Sequence, residues 1–585
     1  MKIFKQVENE INDYLTKDVE ISEGYRYSQY KLIKRIMLFA NSIYPKGKID
    51  KAGNYKYWID VISPRIDSEV KNIDFDTKDI MLYSEPKADY GVMLLCNLAL
   101  REWLRDNGKA EEINDAVEEG SGWGNVVWKK IKGGYEKADL KNFYVINQTA
   151  RTLEDSPVIE RHILTQSYLR GKKDIWKDVD DVIKTCGNKG FATTPEGFTE
   201  DKETPYYEIY ERNGEVSEEV LYEALGKKGG SKDKYVLAKI ICAGLGRSQK
   251  SEQKFVLFAK EIPKMPYKEY HRGRYNGRWF RLGIYELLFD IQTRSNEISN
   301  QIAIGLGWAS KTIFKSNDGA LRRNVMKQLN SGAIIRTTNL EQLDVRMEGL
   351  DQLIADWNRL MTTADRLCNS YEVVTGEGLP AETSFKLGSM VNQNATKMFD
   401  FLREKLSLSL QDVFQDWIVD ELMSTLNRKK VIRLTGNEQG LYQFYEAMIN
   451  GWYVNNLLSF PPHSKEQADE IKKSKLKELM GSEMKYIDTE KDWLSGVKPR
   501  VAVIISGENI NLIKEMESLS AFIALEQDPI RRTALIEMAM RKQGINIDEL
   551  PKTPPVEPQT QQMAKGGSQP KKAPQKPAGG QPVAL

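Results

Sequence analysis

Apolar residues recur at helical spacing over the longest uninterrupted stretch of the chain: Leu387, Val391, Ala395, Met398, Phe399, Leu402, Leu406, Leu410, Val413, Phe414, Trp417 and Leu422. This run follows the breakers Gly376, Gly378 and Pro380, and only Gly388 interrupts it. The pattern predicts a helix of roughly forty residues, about 60 Å at 1.5 Å per residue, with one buried face along most of its length. Such a length is a beam rather than a core helix.

Two shorter amphipathic helices precede the beam. The first is predicted from Phe280 to about Leu306, with Ile284, Leu287, Leu288, Ile291, Ile298 and Ile302 on one face and Glu286, Asp290, Arg294, Glu297 and Asn300 elsewhere. The second runs from Met347 to Thr375 through Leu350, Leu353, Ile354, Trp357, Leu360, Met361, Ala364, Leu367, Cys368 and Tyr371. Upstream, Ile3 to Tyr44 reads as mostly helical, Ala88 to Asp106 as a buried helix, and Glu111 to Glu119 as an acidic surface helix. Gly120 to Gly124 reads as a turn. Strands are expected at Asn125 to Ile131, Phe143 to Ile146, Tyr206 to Tyr210, Tyr235 to Cys242 and Lys254 to Lys260. Beyond the beam, Lys429 to Leu434 and Arg500 to Ser506 read as strands and Ile510 to Glu526 and Pro529 to Gln543 as helices, the last opened by Asp528-Pro529. The fold class is α+β, mainly helical, and 585 residues imply two to four domains or subdomains.

Composition narrows the chemistry. Lysine and arginine number 85 against 83 acids, so no global field draws the chain to nucleic acid and any such affinity must be local. The four cysteines, Cys96, Cys186, Cys242 and Cys368, form no CxxC pair, which speaks against a disulfide framework and fits a reducing compartment. The longest apolar run, Val92 to Leu100, is too short for a bilayer, and the first residues carry charges where a signal peptide needs its apolar core, so no membrane partner is expected. From Pro551 the chain is rich in proline, glutamine and glycine, and Lys552, Lys565, Lys571, Lys572 and Lys576 face the single acid Glu557. This tail cannot bury enough surface to order itself, and either contacts DNA or an acidic partner or is simply solvated.

No catalytic motif emerges. GxxxxGK[ST] is absent, and the glycine clusters at 120–124 and 244–246 lack the Lys-Ser/Thr that grips phosphate and magnesium. His162, His271 and His463 are too few and too separated for a zinc site, and the carboxylate pairs Glu111-Glu112, Glu118-Glu119 and Asp180-Asp181 read as solvated faces. No catalytic, cofactor or metal residue is therefore expected, although a site assembled from distant residues leaves no motif. Basic residues do cluster between Lys254 and Arg281, where Arg272, Arg274, Arg278 and Arg281 interleave with Tyr275, Trp279 and Phe280. Cations with stacking rings suit a nucleic-acid surface; the alternative is glue between neighbouring subunits. Lys311, Lys315, Arg322, Arg323, Lys327 and Arg336 form a second local excess.

Two helices around a basic insert, a Gly/Pro-broken loop, the stretch Thr383-Ser384-Phe385-Lys386-Leu387, the run Asn392-Gln393-Asn394 and a long Phe/Leu/Trp helix occur in this order between Lys254 and Leu426. The order resembles the portal proteins of tailed double-stranded DNA bacteriophages. The resemblance implies an N-terminal wing at 1–279, stem helices at 280–311 and 347–375, a clip at 312–346, a tunnel loop at 376–386, a long wing helix at 387–428, further wing at 429–508, crown helices at 509–550 and the tail at 551–585. It implies a homo-oligomeric ring of twelve at one capsid vertex of the virion, assembled in the host cytoplasm, with an axial channel for double-stranded DNA during packaging and genome ejection. Implied partners are the major capsid protein or scaffold, the terminase, and head-tail adaptor and tail proteins. The DNA would be held without sequence specificity, and ATP hydrolysis would belong to the terminase.

Residue roles follow from matched positions. The implied tunnel loop comprises Gly376, Glu377, Gly378, Leu379, Pro380, Ala381, Glu382, Thr383, Ser384, Phe385 and Lys386, with Lys386 near its base a candidate DNA-facing cation. The resemblance makes Lys315, Arg322, Arg323 and Lys327 candidate clip contacts for DNA, terminase or adaptor, and the basic-aromatic patch is Arg272, Arg274, Arg278, Trp279 and Arg281. The alternatives are a non-portal virion scaffold or adaptor, and a nucleic-acid-processing enzyme. Deleting Gly378 to Thr383 is expected to leave ring assembly intact and impair DNA packaging or retention, measured as packaged DNA per particle; loss of the ring itself would sink the loop assignment.

Overall fold

In the computed structural model the described residues are 2–44, 47–49, 53, 55–73, 75, 77–84, 90–187, 206–245, 253–309, 313–316, 340–343, 349–370, 385–425, 449, 465–481 and 499–503. All belong to one compact unit, Met1–Ser506; a second, Gly507–Leu585, lies outside them. The described residues form a mixed α/β fold with several sheets and are about 54% helical, so helices dominate among them as the periodicity indicates.

The N-terminal region is helical with an interruption the periodicity did not show. Helix α1 (Lys2–Thr16) buries Ile3, Val7, Ile11 and Tyr14, and α2 (Gln29–Ala40) starts at Ser28, whose hydroxyl accepts from the amide of Lys31. Between them lies a hairpin of β1 (Val19–Ser22) and β2 (Tyr25–Tyr27), turned at Gly24 with φ of +76°. Next come α3 (Ser63–Ile73), β3 (Ile80–Tyr83), α4 (Tyr90–Asp106) and α5 (Lys109–Trp123).

Helix α5 corrects one expectation. Gly120 to Trp123 are its last turn, not a loop, and only Gly124 leaves it, as a left-handed cap with φ of +88°. The glycines serve close approach. A Cβ at Gly120 would lie 2.8 Å from the Tyr270 ring and one at Gly122 2.8 Å from Tyr285, while one at Gly283 would lie 2.3 Å from the Trp123 carbonyl carbon. The expected surface helix also has a buried side, Ile113, Ala116 and Val117.

Strands β4 (Asn125–Ile131) and β5 (Gly134–Lys137) join β11 (Tyr267–His271) in a sheet of order β11-β4-β5. A five-stranded antiparallel meander contains β6 (Phe143–Val145), β7 (Val158–Thr165), β8 (Tyr206–Ser217), β9 (Tyr235–Ala243) and β10 (Phe255–Glu261). Its alternating residues Ile159, Tyr210, Ile240 and Cys242 pack on α1 and α8 (Glu218–Leu225). Tyr207, Ile209, Ile241 and Leu257 on the opposite face pack on α6 (Gln166–Gly171) and α7 (Val179–Thr185). Further along that face, Glu160, Glu211 and Asn213 turn towards β4 and β11.

Helix α9 (Ile284–Ala309) leads to β12 (Ile313–Ser316), which pairs antiparallel with β13 (Leu340–Leu343) before α10 (Leu350–Cys368). Helix α10 ends before the expected Thr375, because Asn369 adopts a left-handed conformation (φ +54°) and its amide bonds to the Asp365 carbonyl. The expected beam comprises α11 (Phe385–Val413), a π-helical turn at Phe414–Ile418 and α12 (Val419–Thr425). From Phe399 onward its predicted face is buried, and from Leu402 it shares a core with α4, α5 and β4, whereas Met398 is exposed. Helix α13 (Lys465–Gly481) was not anticipated, and the expected C-terminal strand is β14 (Arg500–Val503), paired with β3. The anticipated elements at 429–434, 510–526 and 529–543 and the tail lie outside the described residues.

A side-chain ladder docks the segment before α3 onto α9. Gln292, Asn296 and Asn300 accept from the amides of Val61, Ile59 and Tyr57 at 2.8, 2.9 and 2.7 Å. Gln292 and Asn300 return hydrogen bonds to the carbonyls of Ile59 and Tyr57. The helix thus satisfies one edge of an extended strand.

Gly283→Ala is expected to lower stability by about 2–3 kcal/mol or more, because backbone rather than a flexible side chain blocks the new methyl. Gly133→Ala, at φ of +83° in open space, should cost only about 1 kcal/mol. Equal shifts in the urea midpoint would contradict the close-approach account.

Candidate functional site

The helix, strand pair, helix and long helix from 284 to 425 form the region to which function is assigned. Helix α10 returns antiparallel along α9: Arg294 meets Asp356 at 3.5 Å, and Ala364 and Cys368 share a core with Ile284 and Leu288. Arg65 of α3 clamps the pair, bonding Asp365 at 2.6 Å and the Met361 carbonyl at 3.3 Å. In the expected clip only β12 and β13 are described, with Lys315 opposite Glu341; Arg322, Arg323 and Lys327 lie outside the described residues. In the expected tunnel loop, Gly376 to Ser384 also lie outside them, while Phe385 and Lys386 open α11.

The basic-aromatic patch is placed differently from a surface. Arg272 is buried and forms a fork with Glu69 of α3 at 2.7 and 2.8 Å. Trp279 is fully buried and donates its indole N–H to Glu269 at 2.5 Å. Arg278 is buried against Glu286 at 2.7 Å and lies over the Tyr27 ring. Arg281 stacks on Tyr275 and donates to the Arg151 carbonyl at 3.1 Å. Arg274 alone of the five is exposed. Arg272, Arg278 and Arg281, which composition assigned to nucleic acid or to neighbouring subunits, therefore bind elements within this chain. Glu69 and Arg272 are 203 residues apart, a pairing that no local pattern reveals.

The long helix secures the same region. Lys405 donates to the Arg272 carbonyl at 3.0 Å and Ser409 to the Glu269 carbonyl at 3.2 Å, covering the free edge of β11. Lys268 reaches back to the Asp412 carbonyl and to Asp416 at 2.6 Å. Arg403 donates to the carbonyls of Asn72 and Ile73, the negative end of the α3 dipole.

A buried polar centre between the sheets escaped sequence reading. Glu160 and Glu211 are direct cross-strand partners, an arrangement unfavourable for like charges. Lys129 of β4 enters between them, its ammonium 2.6 Å from Glu160 and 3.0 Å from Glu211. Lys239 holds the other Glu211 oxygen at 2.7 Å, Asn213 donates to that oxygen, and the Tyr267 hydroxyl donates to Glu160. His162 sits 3.4 Å from Glu211.

Burial would raise the Glu211 carboxyl, but His162, Lys129 and Lys239 outweigh it and hold it well below the ordinary carboxylate range. Burial likewise acts to lower the Lys129 ammonium, and the two carboxylates more than reverse it. Glu160, His162 and Glu211 have donor atoms close enough for a metal. The ammonium already contacts both carboxylates, so the arrangement reads as an internal ion-pair network.

Three of the buried cysteines are poorly placed for thiolate chemistry. Burial pushes the thiols of Cys96, Cys242 and Cys368 up to about 12. No helix among the described residues is long and apolar enough to cross a membrane. Neither a protein-family model nor a curated protein matches the sequence.

Lys129→Met is expected to destabilise the fold by about 3–5 kcal/mol at neutral pH by leaving Glu160 and Glu211 opposed, and Glu160→Gln with Glu211→Gln in the same chain should recover much of this. Glu211 is depressed, so its wild-type contribution is present above the ordinary carboxyl value of 4.5 and is lost only as pH falls through the lower folded value. Urea unfolding across pH checks both points; a Lys129→Met penalty that grows on acidification would contradict them.

Proposed function

We propose that the chain is the portal subunit of a tailed double-stranded DNA bacteriophage. The observation that carries the reading is the order of elements from 284 to 425: a long helix, a strand, its antiparallel partner, a returning helix, and then the beam. In this reading α9 and α10 are the stem, β12 and β13 the base of the clip, and α11 with α12 the wing helix. The meander and its helices form the N-terminal wing.

The placement of charge is compatible with a conduit. Every phosphate that a channel neutralises adds a salt-dependent contact that must break before DNA advances, so a near-neutral chain with most patch arginines engaged internally suits passage better than capture. The ring would occupy one capsid vertex of the virion and dock the terminase during packaging. Adaptor and tail proteins would follow, and the chain would perform no catalysis itself.

Single-particle electron microscopy of the purified full chain, with solution mass, tests this. Twelve copies of 67.0 kDa give a ring of about 800 kDa with an open axial channel wide enough for duplex DNA. A monomer that stays monomeric when co-expressed with its capsid protein or scaffold would overturn the reading in favour of an adaptor or enzyme.

A further inference from the structure

A groove of about 1260 Å³ opens where the meander, the segment between β10 and β11, and the π-helical turn of the long helix meet. Its walls include Pro157, Pro263, Met265, Pro266, Tyr267 and Trp417. Small-molecule pockets usually measure about 300–1,000 Å³, so this space suits an extended segment better.

The π-helical turn brings to this groove a donor that the fold does not use. Gln415 is fixed to β14, accepting from the Val501 amide at 2.9 Å and donating to the Pro499 carbonyl at 3.2 Å. Asp416 is fixed to Lys268 at 2.6 Å. Trp417, held between these anchors and the core, is more than nine-tenths buried, and Lys268 lies over its ring at 5.6 Å. Its indole N–H has no hydrogen-bond partner among the described residues. Unlike the indole N–H groups of Trp58 and Trp128, it is not sealed from solvent, and it opens on the groove that Trp417 lines. A turn anchored on both sides holds this donor in place before any ligand arrives.

Charge around the groove is specific as well. Glu154, Glu215 and Asp420 line it, are exposed, and form no ion pair among the described residues. Lys130 and Lys264 are the unpaired ammonium groups beside them. A fitting ligand therefore offers cations to the carboxylates, carbonyls to the indole and the two ammonium groups, and a stiff apolar surface to the proline and aromatic walls. A basic proline-rich segment in the polyproline II conformation meets all three demands. It has no internal hydrogen bonds, so its carbonyls stay free, and its three residues per turn repeat each contact at a fixed interval.

This sequence contains such a segment. Lys571-Lys572-Ala573-Pro574-Gln575-Lys576-Pro577 has three lysines and no acid, and sets Lys571, Pro574 and Pro577 three residues apart. In a polyproline II helix these three share one face, about 9 Å between successive contacts. We propose that the groove beside the π-helical turn binds a basic proline-rich segment of the pattern Lys-x-x-Pro-x-x-Pro, the pattern that residues 571–577 carry. The prolines lie against Trp417, Tyr267 and the proline walls, the indole N–H donates to a ligand carbonyl, and the lysine meets Asp420 and Glu215. The site does not rest on the portal reading.

A fluorescein-labelled peptide of residues 568–580 is titrated by anisotropy with the full chain carrying Lys571→Ala, Pro574→Ala and Pro577→Ala, so that its own copy of the pattern does not compete. Saturable binding with a Kd below about 1 mM is expected. A peptide with alanine in place of Pro574 and Pro577, unchanged in charge, should bind at least about tenfold more weakly. Asp420→Lys should weaken the parent peptide by about the same factor, and Trp417→Phe, which keeps a ring but removes the indole N–H, by about fivefold to tenfold. Circular dichroism and urea unfolding confirm folded chains; if Trp417→Phe unfolds, Asp420→Lys and Glu215→Lys, both at exposed positions, carry the test. Absence of saturable binding, an alanine peptide that binds like its parent, or an affinity untouched by the chain substitutions would each overturn the site, the second by reducing it to attraction between charges. Electron micrographs separate the two claims: a chain that binds the peptide and forms no ring loses the portal reading alone, and a ring that ignores the peptide loses the groove alone.

Discussion

The meeting of the two sheets depends on one lysine. Glu160 and Glu211 face each other across neighbouring strands in a region too buried for water to screen them, and Lys129 arrives from the other sheet to make the arrangement tolerable. A hydrophobic junction could have held the sheets as firmly, but could slide by a pair of residues. A buried cation that must sit between two specific carboxylates has only one acceptable register. Because Val126 and Trp128 alternate with Lys129 on β4, fixing the lysine also aims those two side chains into the core against which the long helix lies.

That helix is consequently held by backbone as much as by apolar contact. Lys405 and Ser409 occupy carbonyls on the open side of β11, Arg403 occupies the end of α3, and Lys268 returns a charge to the helix. The beam, the small sheet and α3 form one polar-linked frame. The Arg272 fork to Glu69 lies inside it, where composition suggested an external surface.

The parts legible in the sequence were those with a period. The long helix, α9 and β4 declared themselves because unbroken runs of helical or alternating spacing leave few competing structures. Strand β7 was not legible, since Glu160, Arg161 and His162 interrupt its apolar pattern, and their partners lie far away in the chain: Lys129 of the second sheet for Glu160, and Glu208 and Glu211 of β8 for Arg161 and His162. Gly120 and Gly122 carried a turn signal that tertiary approach by Tyr270 and Tyr285 overrode. For the candidate site, the order of helices could be read, but the fate of each arginine could not, because burial of a cation is decided by an acid far away in the chain. Composition distinguishes neither an arginine in a fork from one in solvent nor an acidic helix face from the wall of a cavity.

The amide ladder between α9 and residues 57–61 has a measure built into it. Four residues of helix advance about 6 Å, whereas two residues of strand advance about 6.7 Å, so successive rungs drift by about 0.7 Å. Over Gln292, Asn296 and Asn300 the accumulated offset is about 1.4 Å, which the flexible amide side chains absorb with all three bonds between 2.7 and 2.9 Å. The ladder works as a vernier. It fixes how much extended chain one straight helix can hold, and ties the placement of the 57–61 segment to the straightness of α9, so that bending the helix would release the strand one rung at a time from its far end.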